Sequence, residues 1–241
     1  ADLIVIETMN DSYETKAAVI AAKENSDLPI IVTNVFDDSA KLMTGADIEA
    51  MVAMLEGLGV DALGMNCSLG PVQMKRLVPD FMKNASIPVA VVPNAGLPRS
   101  ENGKTMFDVD ADEFSDIMAD IASQGVRIIG GCCGTTPEYI RKTAEKVKNI
   151  PIKEIEAKNI TVVSSYTHAV KIEDEPILIG ERINPTGKKK FKEALRNKDM
   201  EYILKEGISQ QEKGVHILDV NVGLPEIDEK AMICEALSGL Q

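Results

Sequence analysis

The sequence predicts an α/β fold built around a parallel β-sheet. Short apolar runs alternate with segments of helical periodicity through the first 150 residues of the 241-residue chain. The apolar runs are continuous rather than alternating, as expected for strands buried on both faces of a parallel sheet. Polar residues follow most of these runs, at the strand end where parallel α/β folds build their sites. The predicted strands are 3–6, 29–33, 60–65, 88–92 and 126–129.

Helices are predicted after each of these strands, from apolar residues that recur at helical spacing. In the second helix, for example, Ile48, Val52 and Leu55 fall on one face. The segment 97–109 has no such pattern and is predicted to be a polar loop. The predicted helices cover 12–23, 46–58, 71–83, 112–123 and 137–148.

The pattern changes after residue 150, where periodicity fades and prolines and mixed charges dominate. We interpret residues 151–176 as an inter-domain linker with a short strand-like piece at 160–164. A second α/β segment fills residues 177–241. Its predicted strands are 177–179 and 215–219, and its predicted helices are 189–197, 199–213 and 226–240.

Composition narrows the classes of function. The net charge is −12, from 26 basic and 38 acidic side chains, which argues against a nucleic-acid backbone or an anionic membrane as partner. No apolar run approaches the ~18 residues that a membrane-spanning helix needs. Four cysteines are too few for a disulfide scaffold in a chain of this length. We therefore expect a cytoplasmic protein whose cysteines serve metal binding or catalysis.

Cysteines follow two of the predicted strands. Cys132 and Cys133 lie between glycines after the strand at 126–129, and Cys67 follows the strand at 60–65. If all strands are parallel, these strand ends share one rim, and three thiolates can reach one metal ion. Zinc takes tetrahedral thiolate coordination, and three protein ligands with one open position are typical of catalytic zinc.

Structural roles for the cysteines remain open at this point. Cys132 and Cys133 could be buried small apolar residues, or the cysteines could join a histidine in a closed structural zinc site. Cys234 lies in an apolar helical stretch and is predicted to be a core residue.

Two groups of motifs resemble known families. Residues 130–138, Gly-Gly-Cys-Cys-Gly-Thr-Thr-Pro-Glu, together with Asn66-Cys67 upstream, closely resemble the homocysteine S-methyltransferase module. Residues 180–187, Gly-Glu-Arg-Ile-Asn-Pro-Thr-Gly, and 219–223, Asp-Val-Asn-Val-Gly, resemble the start of a pterin-binding, methyltetrahydrofolate module. In this order, the two modules resemble the N-terminal half of the cobalamin-dependent methionine synthases.

The resemblance implies two (β/α)8 TIM barrels in tandem, both incomplete in this chain. Residues 1–150 would be strands four to eight of a homocysteine-binding zinc barrel, with Cys67 on the sixth strand and Cys132 and Cys133 on the eighth. Its first three βα units would then precede residue 1. Residues 177–241 would be the start of the pterin-binding barrel.

The resemblance also implies residue roles in methyl transfer to homocysteine, which forms methionine. Cys67, Cys132 and Cys133 would be both the Zn²⁺ ligands and the catalytic residues, since homocysteine would be activated as a zinc thiolate. By the same resemblance, the Glu7 carboxylate would hold the homocysteine amino group. Asn94 is expected only to line the pocket.

In the second module, the resemblance assigns methyltetrahydrofolate contacts to Glu181, Asn184, Asp219 and Asn221. Methyltetrahydrofolate would supply the methyl group, and cobalamin would carry it to homocysteine. The chain has no Asp-x-His-x-x-Gly motif for cobalamin ligation, so we expect cobalamin to be bound by a domain or partner protein outside this chain.

Two alternative functions share the cysteines. A zinc-dependent homocysteine S-methyltransferase could use another methyl donor, although it would not need the two pterin-module motifs. A non-catalytic protein could use the cysteines as a structural zinc clip or as a redox dithiol.

Overall fold

The computed structural model describes residues 1–101, 103–173 and 175–241. The chain forms two compact units, the first made of residues 1–159 with 163–169 and the second of 160–162 with 170–241. Each unit has its own cluster of buried apolar side chains. We refer to them as unit 1 and unit 2.

The described residues alternate between strands and helices over most of the chain. The strands are β1 (Ile4–Met9), β2 (Ile30–Asn34), β3 (Ala62–Asn66), β4 (Val89–Val92), β5 (Pro98–Glu101), β6 (Lys104–Phe107), β7 (Ile128–Ile129), β8 (Thr161–Ser164), β9 (Ala169–Ile172), β10 (Ile179–Ile183) and β11 (Ile217–Val220). The helices are α1 (Ser12–Asn25), α2 (Ile48–Gly57), α3 (Pro71–Asn84), α4 (Ala111–Ser123), α5 (Pro137–Val147), α6 (Lys189–Asn197), α7 (Met200–Gln211) and α8 (Glu229–Leu240).

Unit 1 is organised by a parallel sheet of strands in the order β1-β2-β3-β4-β7, which we call the main sheet. Each pair of neighbours is parallel, so all five strands end at the same edge. The predicted α/β class with a parallel sheet is confirmed. Its central strand, β3, is buried along its whole length, as its continuous apolar sequence indicates. Gly64 within β3 allows a close approach to β4, because a Cβ there would lie 1.9 Å from the carbonyl oxygen of Ala90.

Capping residues fix where several helices of unit 1 begin. The side chains of Asp11, Asp47 and Asp110 accept hydrogen bonds from the first-turn backbone N–H groups of α1, α2 and α4. Helices α3 and α5 begin with Pro71 and Pro137, whose fixed backbone angle suits the first helical position. The helices therefore begin within two residues of their predicted starts.

The structure differs from the sequence prediction in the bounds of two strands, since β1 extends to Met9 and β7 contains only Ile128–Ile129. It also differs at three further segments. The predicted polar loop at 97–109 contains the antiparallel hairpin β5–β6, which lacks the apolar alternation that would reveal it. The predicted linker has a second strand, β9, which pairs with β8. Strand β10 lies further along the chain than the predicted 177–179, because its pairing with β11 extends through two charged residues to Ile183.

Cys234, predicted to be a core residue, is exposed. It lies on α8, which buries Met232 and Ala236. These two residues are one helical turn apart, so Cys234 between them points to the opposite side.

Among the described residues, no helix is long and apolar enough to cross a bilayer.

Residues 165–168, which connect β8 to β9, contact the start of α1. The Tyr166 hydroxyl donates a hydrogen bond to the Asp11 carboxylate, and the Ser12 hydroxyl donates to the Tyr166 carbonyl at 2.9 Å. The Tyr13 and Tyr166 rings also pack against each other in a tilted arrangement, with centroids 4.4 Å apart. The hydrogen bond from Tyr166 lowers the pKa of Asp11, which is also the cap of α1.

We expect Tyr166→Phe to reduce the free energy of unfolding at pH 7, because a hydrogen bond to a carboxylate is lost. The folded-state pKa of Asp11 is lowered, so its contribution is present above its unfolded pKa of about 4 and disappears as the pH falls through the folded value. The difference between the two proteins should therefore shrink as the pH falls from 7 towards 3. Urea unfolding at several pH values measures it.

Tyr139→Phe is the matched control, since the Tyr139 hydroxyl donates to the Val109 backbone carbonyl at 2.9 Å rather than to a carboxylate. Its effect on unfolding should not change over the same pH range. A Tyr166→Phe effect that stays constant down to pH 3 would contradict a contribution from ionised Asp11.

Candidate metal centre and substrate sites

The structure brings three cysteine thiols together at the carboxyl edge of the main sheet. Cys67 directly follows β3, and Cys132 and Cys133 follow β7 after two glycines. The Cys67 and Cys133 sulfurs are 3.8 Å apart, those of Cys132 and Cys133 are 4.0 Å apart, and all three lie within 4.8 Å of one another. Strands separated by one other strand thus supply one cluster.

The spacing of the sulfurs fits a zinc ion. Zinc–sulfur bonds of ~2.3 Å in a tetrahedron place the sulfur atoms about 3.8 Å apart. Among the described residues, no histidine or carboxylate joins this cysteine cluster. Cys133 is exposed, so the cluster is open to solvent on one side. Three thiolates with an open side are the donor set of a zinc site that admits a further ligand.

The segment 92–95, which begins at the last residue of β4, binds the backbone of both cysteine segments. The Cys67 N–H donates to the Val92 carbonyl at 3.1 Å, and the Cys132 N–H donates to the Pro93 carbonyl at 2.8 Å. Cys67 also has a left-handed backbone conformation, with φ of 58°. The chain therefore changes direction after β3, and the N–H of Cys67, the first residue of this turn, still has a hydrogen-bond partner.

Asn94 holds Cys133 through its side chain. Its amide oxygen accepts a hydrogen bond from the Cys133 N–H at 3.1 Å, and the Cys133 carbonyl accepts one from the Ala95 N–H at 2.9 Å. The Asn94 side chain is only 3% exposed. The sequence indicated a pocket-lining residue at this position, but it gave no signal for a contact with the backbone of Cys133.

The close spacing of the three thiols also affects the pKa of Cys132. Burial, and secondarily the neighbouring Cys67, raise the pKa of the Cys132 thiol to about 11. Thiolates that lie this close repel one another, and a divalent cation between them offsets the repulsion. The cluster is therefore suited to a metal ion on electrostatic as well as geometric grounds.

Glu7 lies near the end of β1 and is exposed. The register between β1 and β2 shifts between Ile6 and Met9, which is a local irregularity at Glu7 and Thr8. Such irregularities redirect a side chain relative to a regular strand. The described contacts of Glu7 do not include the thiols, and its role as the amino-group ligand stays a prediction.

Comparison with known proteins identifies the family. A family model described as homocysteine S-methyltransferase matches residues 1–147. This range is more than half of the chain and includes the three clustered cysteines. The chain belongs to the homocysteine S-methyltransferase family.

Relatives of this methyltransferase family member include mycobacterial proteins. The chain is 34% identical over 235 residues to a methionine synthase of Mycobacterium leprae, covering 92% of this chain and 20% of that protein. It is 36% identical over 230 residues to a methionine synthase of Mycobacterium tuberculosis, covering 92% of this chain and 19% of that protein. The chain spans about a fifth of the length of these relatives.

Solved structures of the homocysteine methyltransferase MmuM from Escherichia coli are also similar. The apo form matches with a TM-score of 0.51 and 26% identity, covering 61% of this chain and 49% of that chain. The metallated form matches with the same score and identity, covering 61% of this chain and 45% of that chain. The solved structures and the family model thus indicate the same class of methyltransferase.

The residues that the pterin-module resemblance singles out lie outside the 1–147 match to the homocysteine S-methyltransferase family. Glu181 and Asp219 are exposed residues of β10 and β11, and Asn184 and Asn221 directly follow these two strands. Because β10 and β11 are parallel, the strand ends share one edge. The Glu181 carboxylate pairs with the Lys188 ammonium at 3.1 Å.

The two asparagines make the same local contact. The Asn184 amide oxygen accepts a hydrogen bond from the Thr186 N–H at 2.9 Å, and the Asn221 amide oxygen accepts one from the Gly223 N–H at 2.8 Å. These contacts are Asx turns, which fix the loop after each strand. Their role in binding methyltetrahydrofolate stays a prediction.

We expect Gly134→Ala to lower both the free energy of unfolding and the amount of zinc retained after purification. Gly134 has φ of 81°, and a Cβ there would lie 2.3 Å from the Phe107 ring. The substitution must therefore move the ring or the loop that contains Cys133. A destabilisation above about 1 kcal/mol is expected from the backbone alone. Urea unfolding and metal analysis measure the two effects.

Gly103→Ala provides the control, because Gly103 has a similar φ of 74° and no atom within 4 Å of an added Cβ. It should reduce stability by the backbone effect and leave the zinc content unchanged. Equal zinc contents in the two variants would contradict a link between Phe107 and the cysteine loop.

Proposed function

We propose that the protein transfers a methyl group to the sulfur of homocysteine and so forms methionine. The observation that supports this function is the convergence of Cys67, Cys132 and Cys133 at the carboxyl edge of the main sheet. Membership of the homocysteine S-methyltransferase family supports the substrate. The names of the mycobacterial relatives support the product.

We propose that the three cysteines hold a zinc ion and leave one coordination position for the substrate. Zinc bound there would keep the homocysteine sulfur deprotonated while leaving it nucleophilic. The remaining residues orient the cluster, since the segment 92–95 and the Asn94 side chain fix the backbone of the cysteines. The Glu7 carboxylate would bind the substrate ammonium group, which favours an α-amino thiol over a simple thiol.

We propose methylcobalamin as the methyl donor, supplied by a domain or protein outside this chain. Methylcobalamin would supply an electrophilic methyl group and act as the leaving group. The homocysteine sulfur, held at Cys67, Cys132 and Cys133, would be the nucleophile. Methyltetrahydrofolate, bound in unit 2 by Glu181, Asn184, Asp219 and Asn221, would provide the next methyl group. The alignment with mycobacterial methionine synthases covers 92% of the chain, and this supports the assignment of both units to a methionine synthase.

We propose that unit 1 is part of a (β/α)8 TIM barrel. Sequential parallel strands, each followed by a helix except for the inserted hairpin after β4, are the arrangement of such a barrel. The proposed domain limits are 1–150 for the homocysteine-binding barrel, 151–176 for the linker and 177–241 for the start of a pterin-binding barrel. The compact units and the family match over 1–147 support this division.

The decisive experiment measures methyl transfer from free methylcobalamin to homocysteine with the full-length protein. Cys132→Ala should lose its zinc and reduce the rate more than about 100-fold, because a ligand of the metal is removed. Cys234→Ala is the control, since it removes an exposed cysteine of unit 2 and should retain both zinc and activity. A Cys132→Ala variant that keeps zinc and full activity would overturn the proposed function.

The proposed role of unit 2 is tested by the affinity for methyltetrahydrofolate. We expect Asn221→Asp to weaken binding about tenfold, since the carboxylate keeps the turn acceptor but lacks the amide donors. Asn197→Ala changes another exposed asparagine of unit 2 and should have no effect. Fluorescence or calorimetric titration gives both affinities. Equal affinities in the two variants would argue against a ligand contact at Asn221.

The alternatives make different predictions in the same assays. A homocysteine methyltransferase with another donor would lose activity in Cys132→Ala but would not bind methyltetrahydrofolate. A structural zinc clip or a redox dithiol would show no methyl transfer.

A further inference from the structure

Thr8 has a backbone conformation that its side chain disfavours. Its φ is 63°, in the left-handed region that a β-branched residue rarely adopts. It directly follows Glu7, at the place where the register between β1 and β2 shifts. The direction of the Glu7 side chain therefore depends on whatever holds Thr8 in this conformation.

The side chain of Asn66 makes two hydrogen bonds to Thr8. The Asn66 amide oxygen accepts from the Thr8 N–H at 2.9 Å, and its amide nitrogen donates to the Thr8 hydroxyl at 2.8 Å. Asn66 is 1% exposed, whereas Thr8 is exposed, so one end of each bond is buried. We call the two residues the Asn66–Thr8 pair.

The Asn66–Thr8 pair connects strands that are not neighbours in the main sheet. Asn66 ends β3, Thr8 is in β1, and β2 lies between these strands. Asn66 also directly precedes Cys67 in the chain. One amide side chain thus joins the backbone next to Glu7 to the backbone next to a clustered thiol.

We propose that Asn66 is a positioning residue that fixes the separation between the Glu7 carboxylate and the Cys67 thiol, and thereby selects homocysteine over shorter amino-acid thiols. This inference rests on the proposed function, in which Glu7 binds the amino group and the thiol cluster binds the sulfur. Homocysteine and cysteine differ by one methylene between these two groups. A fixed separation discriminates between them, whereas a variable one accepts both.

The test measures homocysteine affinity by calorimetry on the zinc-loaded full-length protein, so that binding is observed independently of methyl transfer. Asn66→Ala and Thr8→Val each break the Asn66–Thr8 pair and should weaken homocysteine binding about tenfold or more, because a charge-assisted contact is misplaced. Thr8→Ser keeps the hydroxyl and should bind as the parent protein does. Zinc content should be unchanged in all three variants.

A ligand that lacks the amino group distinguishes loss of Glu7 positioning from a general loss of structure at the site. 4-Mercaptobutanoate is homocysteine lacking that group, and its affinity should be the same in the parent and in Thr8→Val. The ratio of homocysteine to cysteine affinity should fall in Asn66→Ala and Thr8→Val. Thr15→Val is the matched control, since it removes another threonine hydroxyl bonded to a strand-end asparagine, Asn34, and should change neither affinity.

Equal losses for homocysteine and 4-mercaptobutanoate, or loss of zinc, would overturn the positioning role and leave a structural one. Unchanged homocysteine affinity in both disrupted variants would overturn it as well. Failure of the proposed function has a different signature, which is a parent protein that binds homocysteine but does not methylate it.

Discussion

The thiol cluster depends on the backbone hydrogen bonds of one short segment. Residues 92–95 leave β4 between the two cysteine segments, and they bind Cys67 on one side and Cys132 on the other. The contact with Cys67 continues the pairing of β3 with β4, and the contact with Cys132 lies beyond the pairing of β4 with β7. Both cysteine loops contain residues with positive φ. The segment 92–95 is the part of the main chain that holds the two loops in position relative to each other. The spacing of the sulfurs therefore follows from main-chain geometry more than from the cysteine side chains.

The sequence predicted the parts of this arrangement that depend on burial. Strands covered on both faces have continuous apolar sequences, so the strand ends, and Cys67 and Cys133 with them, could be placed on one rim. The hairpin β5–β6 could not be predicted, because its residues lack an apolar face. The contact of Asn94 with Cys133 depends on how the loop after β4 is placed relative to the loop after β7. No local sequence pattern encodes this placement.

Side-chain amides stabilise strand ends in both units. Where strand pairing ends or its register shifts, backbone N–H groups lose their partners in the sheet, and each must find another acceptor. Asn66 and Asn94 supply that acceptor in unit 1, and Asn184 and Asn221 supply it in unit 2. An asparagine at such a position has a structural use even without a ligand. For this reason, an asparagine in a sequence motif does not by itself show whether the residue stabilises the loop or binds a substrate.

The conformation of Thr8 has a consequence for protein engineering. Glycine adopts φ near 63° without strain, which makes Thr8→Gly an obvious change for relieving the backbone. Glycine would, however, remove the hydroxyl that Asn66 contacts, and it would increase the conformational entropy of the unfolded chain. Stabilisation by a glycine at this position therefore has to outweigh the loss of a contact between two strands of the main sheet.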